Sequence, residues 1–191
     1  MSATTPGPSA TMPAPSAAAL ARVHELLRRR RPSLVAIDGP SGAGKTTLAE
    51  SVAAEWCRRP VLVHLDEVYR GWEGLDEGAE ELRRHLVPAI QAGRVGRVRG
   101  WDWSRSRVVD GRSIRPGRPL LIEGCGAFAA VADQPAAVRI LVAAPLGARR
   151  SRALRRDEGA FDPYWELWET QWRRYLARGR GGIVPDLVIR A

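Results

Sequence analysis

The chain carries Gly39-Pro40-Ser41-Gly42-Ala43-Gly44-Lys45-Thr46, the spacing G-x-x-x-x-G-K-[ST], and no other stretch limits its fold so tightly. Lys45 is also the sole lysine among 30 Lys and Arg residues. A sequence that otherwise relies on arginine keeps one compact ammonium where a planar guanidinium would fit a tight loop badly. The glycines let successive backbone N–H groups curl around phosphate oxygens, the lysine reaches the β and γ phosphates, and the Thr46 hydroxyl can ligate Mg²⁺. The flanks suit that task. Leu34, Val35, Ala36 and Ile37 form an apolar run fit for a buried strand, and apolar residues recur at helical spacing from Thr47 to Trp56. The loop thus joins a strand to a helix N-terminus, whose free N–H groups and dipole favour an anion. Gly39, Ser41, Gly42, Ala43, Gly44, Lys45, Thr46 and Thr47 are the expected nucleotide-binding residues.

Apolar runs then alternate with helical patterns. Strands are expected at 34–38, 61–66, 120–123, 138–143 and 187–189, with helices between most of them. That alternation predicts an α/β fold, a parallel sheet covered by helices on both faces. Residues 97–118 break the pattern. Asp110-Gly111 is a hairpin signal with polar and aromatic residues on either side, so a β-ribbon or lid is expected before the third core strand. A helix over 17–31 leads a single domain over 17–191, and residues 1–16, uncharged and rich in Ser, Thr, Pro, Ala and Gly, read as a disordered tail.

No apolar run approaches membrane-spanning length, so a cytoplasmic protein without a membrane partner is expected. Cys57 and Cys125 lack metal-ligand spacing and read as reduced, small core residues. The formal charge of +9 invites a nucleic-acid reading, but the arginines are spread widely. Arg28 to Arg31 end the leading helix, where they oppose its negative C-terminal end. Nucleic acid is therefore not an expected partner, while a homo-oligomer stays open.

In open α/β sheets ligands sit beyond the carboxyl ends of the strands, so acids just after apolar runs draw attention. Asp38 ends the first strand and either fixes the loop's turn or takes part in chemistry. Asp66 follows Val61 to Leu65 and is the expected general base, since it could accept a proton from a substrate hydroxyl. Glu123, after Leu120 to Ile122, and Asp66 could stand beside Mg²⁺. Glu123 precedes Gly124 rather than a second acid, which favours transfer to a bound substrate over activation of water. Arg149, Arg152 and Arg156 fall three and four apart and would share one helix face as lid charges on the transferred phosphoryl. Trp165, Trp168 and Trp172 have the same spacing and read as a core-facing stripe. Trp101 and Trp103 would share one ribbon face, opposite Asp102, and could wall a substrate. His24, His64 and His85 receive no role.

From Leu34 to Ile189 the chain resembles the uridine kinase and phosphoribulokinase branch of P-loop kinases, within the P-loop NTPase class. Asp66-Glu67-Val68-Tyr69-Arg70 is similar to that family's D-x-F-Y-R, Trp101-Asp102-Trp103 to its Y-D-[FY] ribbon motif, and Glu123-Gly124 to its E-G after the third strand. Arg149, Arg152, Arg156 and Asp157 match its R-x-x-R lid. The resemblance implies that Asp66 is the catalytic base, that ATP donates its γ-phosphate to a primary hydroxyl, and that Mg²⁺ lies between the loop hydroxyl and the acids. It also implies an acceptor pocket formed by Tyr69, Asp76, Trp101 and Asp102. Three departures stand out. Trp101 replaces a tyrosine, Ser106 replaces the ribbon histidine, and Glu73-Gly74-Leu75-Asp76 occupies the place of the D-H-P-x-A-F-D segment that grips ribose.

Together these features predict an ATP-dependent kinase acting on a hydroxyl of a small metabolite, with a nucleoside the implied acceptor. A nucleoside monophosphate kinase, another small-molecule kinase and a nucleic-acid-linked ATPase are the alternatives.

Overall fold

The computed structural model describes residues 14–157, 159–179 and 184–191. In chain order the strands are β1 (Leu34–Asp38), β2 (Val61–His64), four short ones, β3 (Gly96–Arg97), β4 (Gly100–Asp102), β5 (Arg107–Val109) and β6 (Ser113–Ile114), then β7 (Leu120–Glu123), β8 (Val138–Ala143) and β9 (Leu187–Arg190). The helices are α1 (Ala17–Arg30), α2 (Lys45–Glu55), α3 (Leu75–Glu81), α4 (Val87–Gln91), α5 (Ala127–Ala130), α6 (Leu146–Arg156) and α7 (Trp165–Gly179). A π-helical turn at Leu82–Leu86 joins α3 to α4.

Five runs rich in Val, Ile and Leu cannot bury their backbone groups alone, and they pair into one parallel sheet in the order β2-β7-β1-β8-β9. Alternation sends Val35, Ile37, Leu121, Val138 and Ile140 to one face, where Val23 and Leu27 of α1 and Leu48 and Val52 of α2 cover them. Leu34, Ala36, Leu120 and Ile122 point to the other face, under Leu75, Leu82, Phe128 and the α7 indoles. Each fully buried aliphatic side chain contributes about 1.5–3 kcal/mol. Both faces are thus dry, as a parallel sheet requires. Trp165, Trp168 and Trp172 are all buried, so that stripe faces the core. The register sets His64 beside Glu123, and Glu123 beside Ile37, so the site-bearing strand ends lie level.

Several expectations need correction. The second strand ends at His64, and Asp66 sits in a 3₁₀ turn (Leu65–Glu67), held by Val68 and Tyr69 N–H groups that both donate to the Leu65 carbonyl. The ribbon is a hairpin interrupted in both arms, with β3 paired to β6 and β4 to β5. Its reversal lies at residues 103–106, not at Asp110-Gly111. Asp102 explains the shift, because its carboxylate accepts from the backbone N–H groups of Ser104 (3.0 Å) and Arg105 (3.1 Å), an Asx-type turn. Trp103 therefore lies in the turn, where strand alternation with Trp101 no longer applies. Cys57 is exposed while Cys125 is buried, so only the second is a core residue. Of the expected tail, residues 1–13 lie outside the described residues, and Ser16 caps α1 by accepting the Ala19 N–H at 3.2 Å. Arg31 ends that helix in a left-handed conformation with φ 43°. No helix among the described residues is long and apolar enough to cross a membrane.

Candidate active site

The loop between β1 and α2 is built to stay open. Gly42 has φ +73°, and a Cβ there would lie 2.0 Å from the Arg149 carbonyl oxygen, so the loop and the start of α6 touch backbone to backbone. Lys45 begins α2 and is buried, its Nζ donating to the Pro40 carbonyl at 3.1 Å and lying 3.6 Å from Cys125 Sγ. Burial alone would push its pKa down, but the groups around it, Cys125 first and then Glu123, Asp66 and Asp38, outweigh this and raise it. Lys45 is therefore a fixed cation. Thr46 Oγ1 donates to Glu123 Oε1 at 3.1 Å. Gly39 donates its N–H to Asp38, Ala43 is buried, and Ser41 and Thr47 are half-buried.

Asp38 is structural. Its buried carboxylate accepts from the N–H groups of Gly39 (2.7 Å), Gly126 (2.9 Å) and Phe128 (2.9 Å) and from the Tyr175 hydroxyl (2.7 Å). Desolvation raises its pKa even against these four bonds. The group ties the end of β1 to α5 and α7.

Asp66 keeps solvent access, yet the surrounding protein displaces enough water that desolvation, and then the Glu123 charge, push its carboxyl above the usual aspartate range. Arg156, Lys45 and His64 pull the other way. A carboxyl so placed is a better proton acceptor than an ordinary aspartate, while its cationic neighbours favour its ionised form. Glu123, 2% exposed, binds both Thr46 and His64, the latter through Nδ1 at 2.8 Å. That hydrogen bond raises the His64 pKa against the effect of burial. His64 thus belongs to the site although no role was expected for it; its place beside Glu123 in the β2–β7 register is the signal that would have revealed it.

The three lid arginines divide. Arg149 is not available to a phosphate: both of its terminal nitrogens donate to Glu169 at 2.7 Å, and its guanidinium carbon stands 5.5 Å from the Trp165 ring centre. Its expected catalytic role is corrected to that of an anchor joining α6 to α7. Arg152 differs, since its Nε and Nη2 are buried with no hydrogen-bond partner among the described residues. Arg156 is held by Asp157 at 2.8 and 2.9 Å and lies close enough to stabilise ionised Asp66.

Tyr69 is corrected likewise. Its ring is 1% exposed and its hydroxyl donates to the Cys125 carbonyl at 2.8 Å, so it packs the turn rather than holding a ligand. Asp76 is exposed and pairs with Arg178. Asp102 accepts from Ser104 Oγ at 2.6 Å, and these turn bonds keep its carboxyl below the usual range. Trp101 is half-buried against the loop that contains Gly71.

A nucleoside triphosphate would fit these residues. The orphaned Arg152 nitrogens, the Lys45 ammonium and the open helix N-terminus supply the donors that a phosphate chain requires. For Mg²⁺, Thr46 Oγ1 and Glu123 offer oxygen donors. Among the described residues no cluster of three His, Cys, Asp or Glu side chains could hold a metal alone. Phosphate oxygens and water would complete the shell, as Mg²⁺ prefers.

Solved structures share this architecture. A possible uridine kinase from Bacillus stearothermophilus matches with TM-score 0.52 at 18% identity, over 88% of this chain and 97% of that one. The YGR205w protein matches with TM-score 0.51 at 11% identity, over 82% and 84%. The fold, a parallel five-stranded sheet flanked by helices, is the one these two structures share. A sugar kinase from Janibacter sp. is more distant, with TM-score 0.45 at 19% identity over 83% of each chain. No protein-family model and no curated protein matches the sequence. Within this fold, Glu169 and Tyr175 are further residues that the sequence alone did not single out. Each lies three or four positions from a buried tryptophan, Trp165 or Trp172, which puts it on the inward face of α7.

Proposed function

We propose that the protein transfers the γ-phosphate of ATP to a hydroxyl of a small metabolite. The observation that carries this reading is the meeting of Lys45, Thr46, Glu123, Asp66 and Arg156 at one set of strand ends. Lys45 and the loop N–H groups bind and orient the phosphates, and Arg152 and Arg156 spread positive charge over them. Thr46 and Glu123 would hold Mg²⁺, which neutralises phosphate charge. Asp66 takes the acceptor's hydroxyl proton as that oxygen forms its bond to the γ-phosphorus and the bond from phosphorus to the ADP oxygen breaks. Only positioning and charge are asked of the protein, and these side chains supply both.

Glu123 is followed by Gly124, and a Cβ on Gly124 would lie 2.5 Å from Leu65 Cβ, so no second acid can occupy that position without moving the Asp66 turn. This supports transfer over hydrolysis. A nucleoside is the acceptor that the uridine kinase likeness suggests, and its primary hydroxyl would meet Asp66. The test is ADP release with and without a panel of alcohols, using Asp66→Asn as control. Acceptor-dependent release that drops about a hundredfold or more in the variant, with MgATP binding kept, supports the proposal. Rapid hydrolysis without any acceptor would instead identify an ATPase.

A further inference from the structure

Glu123 enters the site with both of its side-chain donors on one oxygen. Thr46 Oγ1 donates to Oε1 at 3.1 Å, and His64 Nδ1 lies 2.8 Å from the same atom. A carboxylate can only accept, so Nδ1 carries the proton in that second bond. Among the described residues no hydrogen bond falls on Oε2, which leaves that oxygen for a metal ion or for water bound to one.

The two donors come from separate elements, Thr46 from the start of α2 and His64 from the end of β2. Parallel register makes His64 and Glu123 direct partners at the strand ends, which brings the ring against the carboxylate. The Glu123 side chain is 2% exposed and that of His64 26%. The last torsion of a glutamate is broad when nothing holds it. Here two bonds to one oxygen hold it. That matters for Thr46, because a hydroxyl that ligates Mg²⁺ through a lone pair still has one proton to place. Oε1 takes that proton, and an Oε1 held still keeps the Thr46 lone pairs aimed in one direction.

Building on the MgATP site of the proposed function, we propose that His64 is a positioning residue: its Nδ1–H fixes the Glu123 carboxylate so that Oε1 anchors the Thr46 hydroxyl and Oε2 is left to the metal. The bond requires only a proton on Nδ1, which the ring can carry in its neutral as in its charged form, so the role is independent of how the ring titrates. Residues that orient metal ligands in this manner govern about 10–100-fold of metal affinity or activity.

The test compares ATP binding to the full-length protein by calorimetry in Mg²⁺ and in EDTA. His64→Leu should weaken MgATP binding about tenfold or more and leave metal-free ATP within about threefold, since Lys45 and the loop still hold the phosphates. His64→Asn, whose amide nitrogen can take the place of Nδ1, should keep MgATP binding within about threefold of the parent. Long-range proton–nitrogen NMR spectra of the parent, recorded where the ring is neutral, should show the proton on Nδ1. Equal weakening of both forms of ATP in His64→Leu, no weakening of either, loss in His64→Asn as large as in His64→Leu, or a proton on Nε2 would each overturn the role of His64. These results leave phosphotransfer untouched, because that reading stands or falls on acceptor-dependent ADP release from the parent. A parent that binds ATP alike with and without Mg²⁺ would overturn the metal site and the role of His64 together.

Discussion

Replacing Arg149 with alanine separates an anchor from a catalytic lid. The Arg149 and Glu169 side chains are each 7% exposed and share two bonds of 2.7 Å. Removing one partner of such a pair strands a buried charge, which costs about 3–5 kcal/mol. Arg173 Nε remains 3.3 Å from Glu169 and compensates in part, so the lower end applies. The lost contact with Trp165 adds about 0.5–1 kcal/mol. The expected sum is about 3–4 kcal/mol, and at about 2–4 °C per kcal/mol for a chain of this size, Tm falls by about 6–16 °C. Urea titration and a thermal scan followed by tryptophan emission measure the loss. The acceptor assay, run where both proteins are folded, should show kcat within about threefold of the parent, because Arg149 touches no reacting atom. Arg149→Met combined with Glu169→Leu should recover most of the stability, since no charge is then left buried. An unchanged Tm with a collapsed kcat would refute this reasoning and return Arg149 to the phosphates.

Three other outcomes follow from the same geometry. The rate should rise with pH as Asp66 ionises, with a midpoint above the ordinary aspartate value of 3.8 because desolvation and Glu123 raise that pKa. A kcat/KM profile checks this, and the limb should vanish in Asp66→Asn. Tyr175→Phe removes a bond to the buried Asp38 carboxyl and should cost about 1–3 kcal/mol. As the bond favours the charged form, the loss should shrink as pH falls through the raised Asp38 pKa, which urea titrations at several pH values would show. Gly42→Ala forces a Cβ to within 2.0 Å of the Arg149 carbonyl oxygen and should weaken MgATP binding tenfold or more by calorimetry, about 1.4 kcal/mol or above.

The sheet was legible because its signals are local. The runs at Leu34, Leu120 and Val138 are apolar without a break, and the loop motif orders the first strand and helix by itself. What was lost depends on pairs far apart in the chain. Asp66 lies in a 3₁₀ turn rather than the strand, and that turn leads into Tyr69, whose hydroxyl is bonded to the Cys125 carbonyl across 56 positions. Arg149 has lid spacing, and only the Glu169 contact 20 positions away shows that it is tied down. The hairpin reversal went to the Asx turn of Asp102, while Gly111 has a different task, since any Cβ there would strike the Val98 carbonyl oxygen at 1.8 Å.

The seat of the α6 backbone on Gly42 reaches beyond this one glycine. With Arg149 moored to α7 and its carbonyl against the loop, the floor of the phosphate cradle and the root of its roof form one rigid block. Arg152 and Arg156 lie beyond that block, toward the C-terminal end of α6. Under the proposed function, a triphosphate entering such a half-built chamber would forfeit little chain entropy and would owe its affinity to preorganisation.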